Sequence, residues 1–349
     1  MPVLKRIPSE FLVAESSVLP AVDSEVATHQ QLRLRKAGYT TFEAVDLIAR
    51  FHGQPSANIG YAGLKDEDAI TEQFLTISGP LDSRALEEFN QVHAAGAPGS
   101  HGRFLQLRHH GYGMRPLSAG DLDGNSFRIM VRDLEAEHAR HLAGSHGRRS
   151  LFAINYYDTQ RFGVPDGPRQ THLLGGALLE GDYERAFELL RASRSPEART
   201  CSAFTGTARE FFDALDPRRI AFFQSAHASD VWNAEVRALL REVAGDDVLE
   251  EEREGIPYVF PRAQSAALQV AQAGRRLRCR TYRWRNGGMV SYLAPRPVVV
   301  QLQVRIADVK PDECFEGRWC CTLAFFLPSG SYGTIAVSQL LHAVAGERQ

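Results

Sequence analysis

The chain has 349 residues, of which 44% are hydrophobic and 23% are charged. This length predicts about two domains at roughly 150 residues each, and the composition is that of a globular protein with a substantial core. No run of 18 apolar residues occurs, which excludes a membrane-spanning helix. Met1 to Arg6 lacks the apolar stretch of a secretory signal, and the five cysteines form no CxxC motif or disulfide framework. We therefore expect a cytoplasmic protein in a reducing compartment.

The net charge of -2 argues against a uniformly basic nucleic-acid binder. The charges are nevertheless segregated along the chain. Residues 275–285 carry six arginines and no acid, interleaved with Tyr282 and Trp284, whereas residues 246–254 carry six acids against Arg253 alone. A nearly neutral total is therefore compatible with a basic cleft.

The first half of the chain alternates strand-like and helix-like patterns. Alternating apolar residues predict strands at 10–15 and 31–35. Thr40-Thr41-Phe42-Glu43 is a capping box, which predicts a helix from there to about Gly53. Further strands are predicted at 58–62, 73–77, 104–109 and 126–132, and further helices beginning near residues 83 and 134.

Residues 171 to about 244 are dominated by helical patterns. The C-terminal part returns to strands at 298–306 and 321–327 and ends in a helix after Gly333. Strands at both ends with helices between them predict an α+β fold in which one sheet domain is built from both termini. We place this sheet domain at 1–165 plus 290–349, and an inserted, mostly helical domain at 166–289.

The densest polar segment runs from Gly60 to Gln73 and contains Lys65 and Asp66. It has the pattern of a strand ending in a glycine, then the two charged residues, then a return strand. Gly60 and Gly63 permit a close backbone approach or a positive φ, and a charged residue at a strand end is well placed to line a site. Taken alone, the segment is more typical of a solvated turn.

Two more segments combine polar and aromatic groups. Asn155 to Gly163 mixes aromatic rings with amide and guanidinium donors, the groups that stack on and hydrogen-bond an unpaired base. Taken alone, it is better explained as a half-buried strand with amphipathic tyrosines. Leu327 to Thr334 is a turn leading into a helix, for which an ordinary serine or threonine cap is a sufficient explanation.

Together, five elements of this sequence resemble the TruD family of tRNA pseudouridine synthases, in the family's order and from end to end. Lys5 to Phe11 resembles its Lys-x-x-Pro-x-acid-Phe, and Gly63 to Gln73 resembles its Gly-x-Lys-Asp-x-x-Ala-x-Thr-x-Gln. Leu122 to Phe127 resembles a Gly-Asn-x-Phe element, Asn155 to Gly163 its Asn-Tyr-Phe-Gly-x-Gln-Arg-Phe-Gly, and Leu327 to Thr334 its Leu-Pro-x-Gly-Ser ending.

Two residues depart from the family pattern. Tyr157 stands where phenylalanine is usual and adds a hydroxyl, and Asp158 stands where glycine is usual and adds a charge. The middle of the chain is much less similar and resembles the family mainly by its position. The choice of RNA is therefore predicted less directly than the chemistry.

The resemblance implies a pseudouridine-synthase-like mixed or antiparallel sheet domain with an inserted TRUD-type domain. It also implies isomerisation of a uridine of tRNA, at position 13, without a cofactor or metal. The catalytic carboxylate is then Asp66, and Lys5 is its charge partner, since a nearby cation favours the charged form of a carboxylate. Attack at C1′, attack at C6 and removal of the 2′ proton all remain possible for the carboxylate.

The resemblance also suggests which residues bind the RNA. The target base must leave its stack, and Phe11 and Tyr157 are candidates to stack on it. Asn155 is a candidate to read the uracil edge or hold a flanking nucleotide, and Arg161 to contact phosphate or support the Asp66 loop. Core packing is the alternative explanation for the two rings. Gly63, Lys65 and Gln73 complete the predicted substrate contacts.

The arginine-rich segment is a second predicted RNA contact. Alternation of Arg276, Arg278 and Arg280 would put three guanidinium groups on one strand face, where they could bind phosphate. A solvated strand edge explains the same pattern.

Three other functions remain as alternatives. The protein could be a synthase acting on another tRNA site or on mRNA, or a non-catalytic RNA-binding or tRNA-folding protein; a binding module, however, would not need Asp66. A cofactor enzyme is disfavoured because GxGxxG after a strand and GxxxxGK[ST] are absent, and Gly175-Gly176 lies inside a helical pattern. We expect a monomer that binds tRNA and does not enter a membrane.

Overall fold

The computed structural model describes residues 2–17, 19–79, 83–94, 102–118, 120–144, 147–285 and 287–346. The strands are β1 (Phe11–Ser16), β2 (His29–Ala37), β3 (Ile59–Tyr61), β4 (Ile70–Ser78), β5 (Phe104–Gly113), β6 (Gly124–Leu134), β7 (Arg148–Ile154), β8 (Val248–Arg253), β9 (Ile256–Pro261), β10 (Arg278–Arg285), β11 (Gly288–Pro295), β12 (Val299–Pro311) and β13 (Trp319–Pro328). The α-helices are α1 (Thr41–Phe51), α2 (Ser83–His93), α3 (Ala136–Ala143), α4 (Thr171–Glu180), α5 (Tyr183–Ala192), α6 (Pro196–Ala203), α7 (Ala208–Ala214), α8 (Pro217–Ala244), α9 (Gln264–Ala273) and α10 (Gly333–Gly346). Within the described ranges, no helix combines the length and apolar character needed to cross a membrane.

The predicted α+β class with a mixed sheet is confirmed. The large sheet has the strand order β5-β2-β4-β1-β6-β13-β12-β7, with β3 beside β4. β1 runs parallel to β4, where Leu12 pairs with Ile70, and antiparallel to β6. Because parallel neighbours begin at the same end of a sheet, the segments that precede β1 and β4 lie side by side.

Strands β1 and β2 alternate between buried and more exposed residues, as predicted. In β2, Leu32 and Leu34 are fully buried, whereas Arg33 and Arg35 on the other face are half-buried. The apolar face packs under α1 and α2 in one cluster, with Val45 as a member of that cluster from α1. Helix α1 begins at the predicted capping box, with reciprocal hydrogen bonds between Thr40 and Glu43.

The chain forms two compact units. The first contains residues 1–150 and 302–330, and the second contains residues 151–301 and 331–349. The predicted boundaries, at 165/166 and 289/290, thus lie 15 and 12 residues from these divisions, and the C-terminal helix α10 groups with the second unit. Within that unit, Ile335 of α10 joins the apolar cluster around Trp232, and Gln339 hydrogen-bonds the backbone of Ile154.

The second unit contains a helical part and two hairpins. Helices α4, α5, α6, α7 and α8 surround one apolar cluster that includes Leu174, Phe211 and Phe223. The acidic run at 246–254 contains β8, which pairs with β9 in a hairpin. β10 pairs with β11 in a second hairpin, which carries the arginine-rich segment.

Candidate active site

An ion pair joins the two segments that precede β1 and β4. Lys5 Nζ lies 2.8 Å from Asp66 Oδ2 and 3.0 Å from Asp68 Oδ1. The side chain of Lys5 is 12% exposed and that of Asp66 is 22% exposed. The carboxylate of Asp66 is therefore held by a sheltered cation while part of it remains accessible to a ligand.

The surroundings of Lys5 keep its ammonium charged. Burial by itself lowers the pKa of Lys5, but the carboxylates of Asp66 and Asp68 more than offset this, so the pKa is raised above its ordinary value. Nζ also lies 4.5 Å from the centroid of the Phe11 ring, close enough for a cation–π contact. The backbone of Lys5 has φ +58°, a left-handed conformation that non-glycine residues rarely adopt. Such outliers concentrate at functional sites.

A buried network anchors the N-terminal segment that carries Lys5. Glu10, in the 3₁₀ turn Pro8–Glu10, accepts a hydrogen bond of 2.7 Å from Arg132 Nε, and Arg132 Nη1 donates to Asp312 Oδ1 at 2.7 Å. The backbones of Val3 and Arg132 also exchange two hydrogen bonds. Contacts on both sides of Lys5 thus fix its position relative to the sheet.

Hydrogen bonds from α1 and β4 hold the loop in front of Asp66. The Thr41 hydroxyl accepts from the Lys65 amide at 2.9 Å and donates to Gln73 Oε1 at 3.1 Å. Gln73 Nε2 then donates to the Gly63 carbonyl at 3.3 Å. Thr41 and Gln73 are each 1% exposed, so this chain of bonds lies inside the unit and ties two points of the loop, Gly63 and Lys65, to α1 and β4.

Lys36 is a fully buried lysine beneath the same loop. Its Nζ donates to three backbone carbonyls, those of Tyr39 at 2.8 Å, Lys65 at 3.2 Å and Asp66 at 2.7 Å. An ammonium group has three N–H donors and a neutral amine only two, so the three acceptors match the charged form. Burial lowers the pKa of Lys36, and the carboxylate of Asp66 opposes that shift.

The side chain of Lys65 forms a buried ion pair within the protein. Its Nζ lies 2.7 Å from Glu15 Oε1, and the two side chains are 5% and 1% exposed. The other oxygen of Glu15 accepts from the amide of Phe74 at 2.7 Å. Lys65 therefore links the loop to β1 and β4.

Gly60 in β3 and Gly63 in the loop differ in what they do. A Cβ at Gly60 would lie 2.6 Å from the carbonyl oxygen of Leu117, so the close approach expected there is present. Gly63 has neither a positive φ nor such a neighbour, and its role in this structure is to present a carbonyl to Gln73.

The structure gathers one group of the predicted site residues at this end of the sheet: Lys5, Phe11, Gly63, Lys65, Asp66 and Gln73. Phe11 is 1% exposed and meets Phe127 edge to face, with ring centroids 6.2 Å apart. The site also contains three residues that were not predicted from the sequence to belong to it: Thr41, Glu15 and Lys36. For Lys36 a signal was present, because it follows Leu32 and Leu34 on the buried face of β2, where a lysine is unusual.

The other predicted contacts lie in the second unit. The Asn155 side chain is 3% exposed, donates to the Pro297 carbonyl at 2.9 Å and accepts from Arg296 Nη2 at 2.9 Å. The Arg296 guanidinium lies 4.0 Å from the centroid of the Tyr157 ring, and burial raises the pKa of the Tyr157 hydroxyl. Arg161 is half-buried and donates to Ser229 Oγ at 3.2 Å.

The arginine-rich segment corrects one prediction. Arg276 lies in the 3₁₀ turn Gly274–Arg276 and not on the strand, so only Arg278 and Arg280 alternate along one face of β10. Both are exposed, whereas Cys279 between them is buried in the core. The packing of Cys279 is what turns the two guanidinium groups outward.

The sequence is similar to those of known proteins. The sequence model of the family described as tRNA pseudouridine synthase D (TruD) matches residues 2–246. A protein of Geobacter sulfurreducens named tRNA pseudouridine synthase D is 34% identical over 192 residues, which is 54% of this chain but only 42% of that protein. A protein of the same name from Stutzerimonas stutzeri is 27% identical, with 99% of this chain and 94% of that protein covered.

A solved structure has the same fold. The crystal structure of a protein assigned to TruD from Methanosarcina mazei matches with a TM-score of 0.50 and 18% identity, covering 97% of this chain and 93% of the other. At this identity the match bears on the fold, which agrees with the α+β architecture described above.

Proposed function

Because the chain belongs to the TruD family of tRNA pseudouridine synthases, we propose that it isomerises a uridine of tRNA to pseudouridine, with Asp66 as the catalytic carboxylate. The observation that carries the proposal is the sheltered pair of Asp66 and Lys5, 2.8 Å apart. A carboxylate bonded by a sheltered ammonium, and still 22% exposed, suits attack on a nucleotide.

The reaction exchanges one glycosidic bond for another. The N1–C1′ bond breaks, the uracil turns, and C5 bonds to C1′; C5 then loses its proton and N1 gains one, so the product has the formula of the substrate. The carboxylate of Asp66 starts this sequence at C1′, at C6 or at the 2′ proton. Lys5 donates a hydrogen bond to the carboxylate and so holds it in place.

Several residues that the sequence suggested as substrate contacts are better assigned to holding the loop. Gly63, Lys65 and Gln73 hydrogen-bond or ion-pair within the first unit, which supports a role in positioning Asp66. The burial of Phe11 and its contact with Lys5 support a role in confining the ammonium.

RNA contacts are assigned to the second unit. Asn155, Tyr157 and Arg161 are proposed to bind nucleotides of the tRNA. The Arg296 guanidinium covers one face of the Tyr157 ring, so a base that stacks on that face must displace it. Arg278 and Arg280 are proposed to bind phosphate, since both are exposed on one face of β10.

The test is release of tritium from tRNA transcripts labelled at C5 of uridine, because C5 loses its hydrogen only when the new bond forms. The wild-type protein should release tritium. Asp66→Asn should release none while binding the transcript within a few-fold of wild type. The matched control is Asp213→Asn, which removes one exposed carboxylate of α7 and should behave as wild type.

A transcript with cytidine in place of uridine 13 tests the site of modification. Loss of release on that transcript alone supports position 13, and undiminished release moves the target elsewhere in the tRNA. Full activity of Asp66→Asn, or no release by folded wild-type protein from any tRNA, would contradict the proposed function.

A further inference from the structure

Lys36 has a feature that burial alone does not require: all three of its hydrogen bonds go to backbone carbonyls, and two of these belong to Lys65 and Asp66. We propose that Lys36 is a positioning residue of the reaction, whose ammonium fixes the backbone of residues 65–66 and thereby aims the Asp66 carboxylate. This inference rests on the proposed role of Asp66.

The bonds of Lys36 join two parts of the chain that meet at the site. Tyr39 belongs to the turn between β2 and α1, whereas Lys65 and Asp66 lie in the loop between β3 and β4. One nitrogen thus ties the turn before α1 to the reactive loop, beside the hydrogen bond from the Gly38 amide to the Glu67 carbonyl. Without the ammonium, three buried carbonyls would have no donor from this side chain, and a buried polar group without a partner is costly.

A second set of contacts holds the same loop. The Lys65 amide donates to Thr41, and the Lys65 ammonium pairs with Glu15. Thr41 and Glu15 leave the Asp66 peptide itself untouched, and the Asp66 carbonyl accepts from Lys36 at 2.7 Å. Among these contacts, Lys36 is therefore the one that acts on the residue carrying the carboxylate.

Lys5 and Lys36 bond different parts of Asp66. Lys5 bonds the carboxylate, and Lys36 bonds the backbone of the same residue. The charged groups around Lys36 are Asp66, Glu67, Asp68 and Lys65. A shift of about 1 Å in a reacting group lowers a rate by roughly 10²-fold, so removing the hydrogen bonds to this backbone should reduce the chemical step far more than RNA binding.

The experiment compares Lys36→Met with Leu86→Ala, a cavity variant in α2 that destabilises the same unit without contacting the loop. Single-turnover tritium release and RNA affinity are measured at a temperature where both variants are folded. We expect Lys36→Met to lower the single-turnover rate at least 100-fold with Kd within threefold of wild type. Leu86→Ala should keep the single-turnover rate within threefold of wild type. Lys36→Arg keeps the cation, so its rate should be at least tenfold higher than that of Lys36→Met.

A Lys36→Met rate within threefold of wild type, or an equal loss in Leu86→Ala, would overturn the proposal. If Lys36→Met does not fold, Lys36→Gln takes its place, since the glutamine amide can still donate to carbonyls. Its single-turnover rate should then be about 30-fold below that of wild type. A rate within threefold of wild type would again overturn the proposal.

Hydrogen exchange of the Lys65 amide separates this inference from the proposed function. That amide is bonded to Thr41, and it should exchange faster in the Lys36 variant than in Leu86→Ala. Faster exchange together with an inactive wild type would refute the proposed function and leave the loop-holding role standing. Unchanged exchange would overturn the role of Lys36.

Discussion

At the scale of single residues, the site depends on how each charge is partnered. Lys5, Lys36 and Lys65 lie at the same end of one sheet, yet their nitrogens bond a carboxylate of the site, three backbone carbonyls and a buried glutamate, respectively. A lysine is a compact charge on a flexible stem, so its role is set by the acceptors in reach. Apart from the Tyr39 carbonyl, those acceptors come from residues distant in sequence.

Lys5→Met should lower turnover by about 10- to 100-fold, because removing the partner of a sheltered charge costs roughly 1–3 kcal/mol. Lys5→Arg, which keeps the charge, should lose less. The pKa of Lys5 is raised above its ordinary 10.5, so the stability from this ion pair is fully present below that pH and is lost only as pH rises through the raised pKa.

The difference in free energy of unfolding between wild type and Lys5→Met should therefore be constant between about pH 6 and pH 9. Urea titrations across that range measure it. A difference that shrinks steadily toward the upper end of the range would mean that the ammonium deprotonates in the folded protein.

At the scale of secondary-structure elements, close packing of two helices explains the pair Gly175-Gly176. Gly175-Gly176 is not a nucleotide-binding motif but part of α4, where it packs against α8. A Cβ at Gly175 would lie 1.9 Å from the carbonyl oxygen of Phe223, whereas one at Gly176 would lie 3.0 Å from the ring of His227. The first clash is with backbone and the second with a side chain that can move.

Gly175→Ala should destabilise the second unit by about 2 kcal/mol, because overpacking against fixed backbone costs up to roughly 3 kcal/mol and the gain from helix propensity offsets only about 1 kcal/mol of that. Gly176→Ala is the matched control, and it should change the free energy of unfolding by less than about 1 kcal/mol. Denaturant unfolding of both variants gives the comparison. Equal effects would show that the α4–α8 packing is not close at Gly175.

At the scale of the whole molecule, a net charge of -2 conceals local differences. Acidic residues are concentrated in β8 and arginines in β10, on separate hairpins of the second unit. Within the described ranges, Arg278 and Arg280 form hydrogen bonds to neutral groups and no ion pair with a carboxylate. They are therefore available to a polyanion.

Arg278→Ala combined with Arg280→Ala should weaken tRNA binding and flatten its dependence on salt, with the slope of log K against log salt falling by roughly 0.7–0.9 for each phosphate that is no longer bound. The control is Arg84→Ala with Arg209→Ala, which removes the same charge from exposed positions of α2 and α7. Binding measured at several salt concentrations distinguishes the two pairs. An unchanged slope would remove β10 from the interface.

The sequence by itself determined the α+β class, the capping box of α1, the alternation of β2 and the five segments that identify the family. These follow from local periodicity and from residue types at fixed spacing, which do not depend on distant contacts. Only the tertiary structure decided that Lys36 lies under Asp66, that Lys65 pairs with Glu15 and that the Asn155 amide is bonded to residues 296 and 297. The partners of these groups are between 30 and 142 residues away, and they meet only because strand pairing and helix packing bring them together.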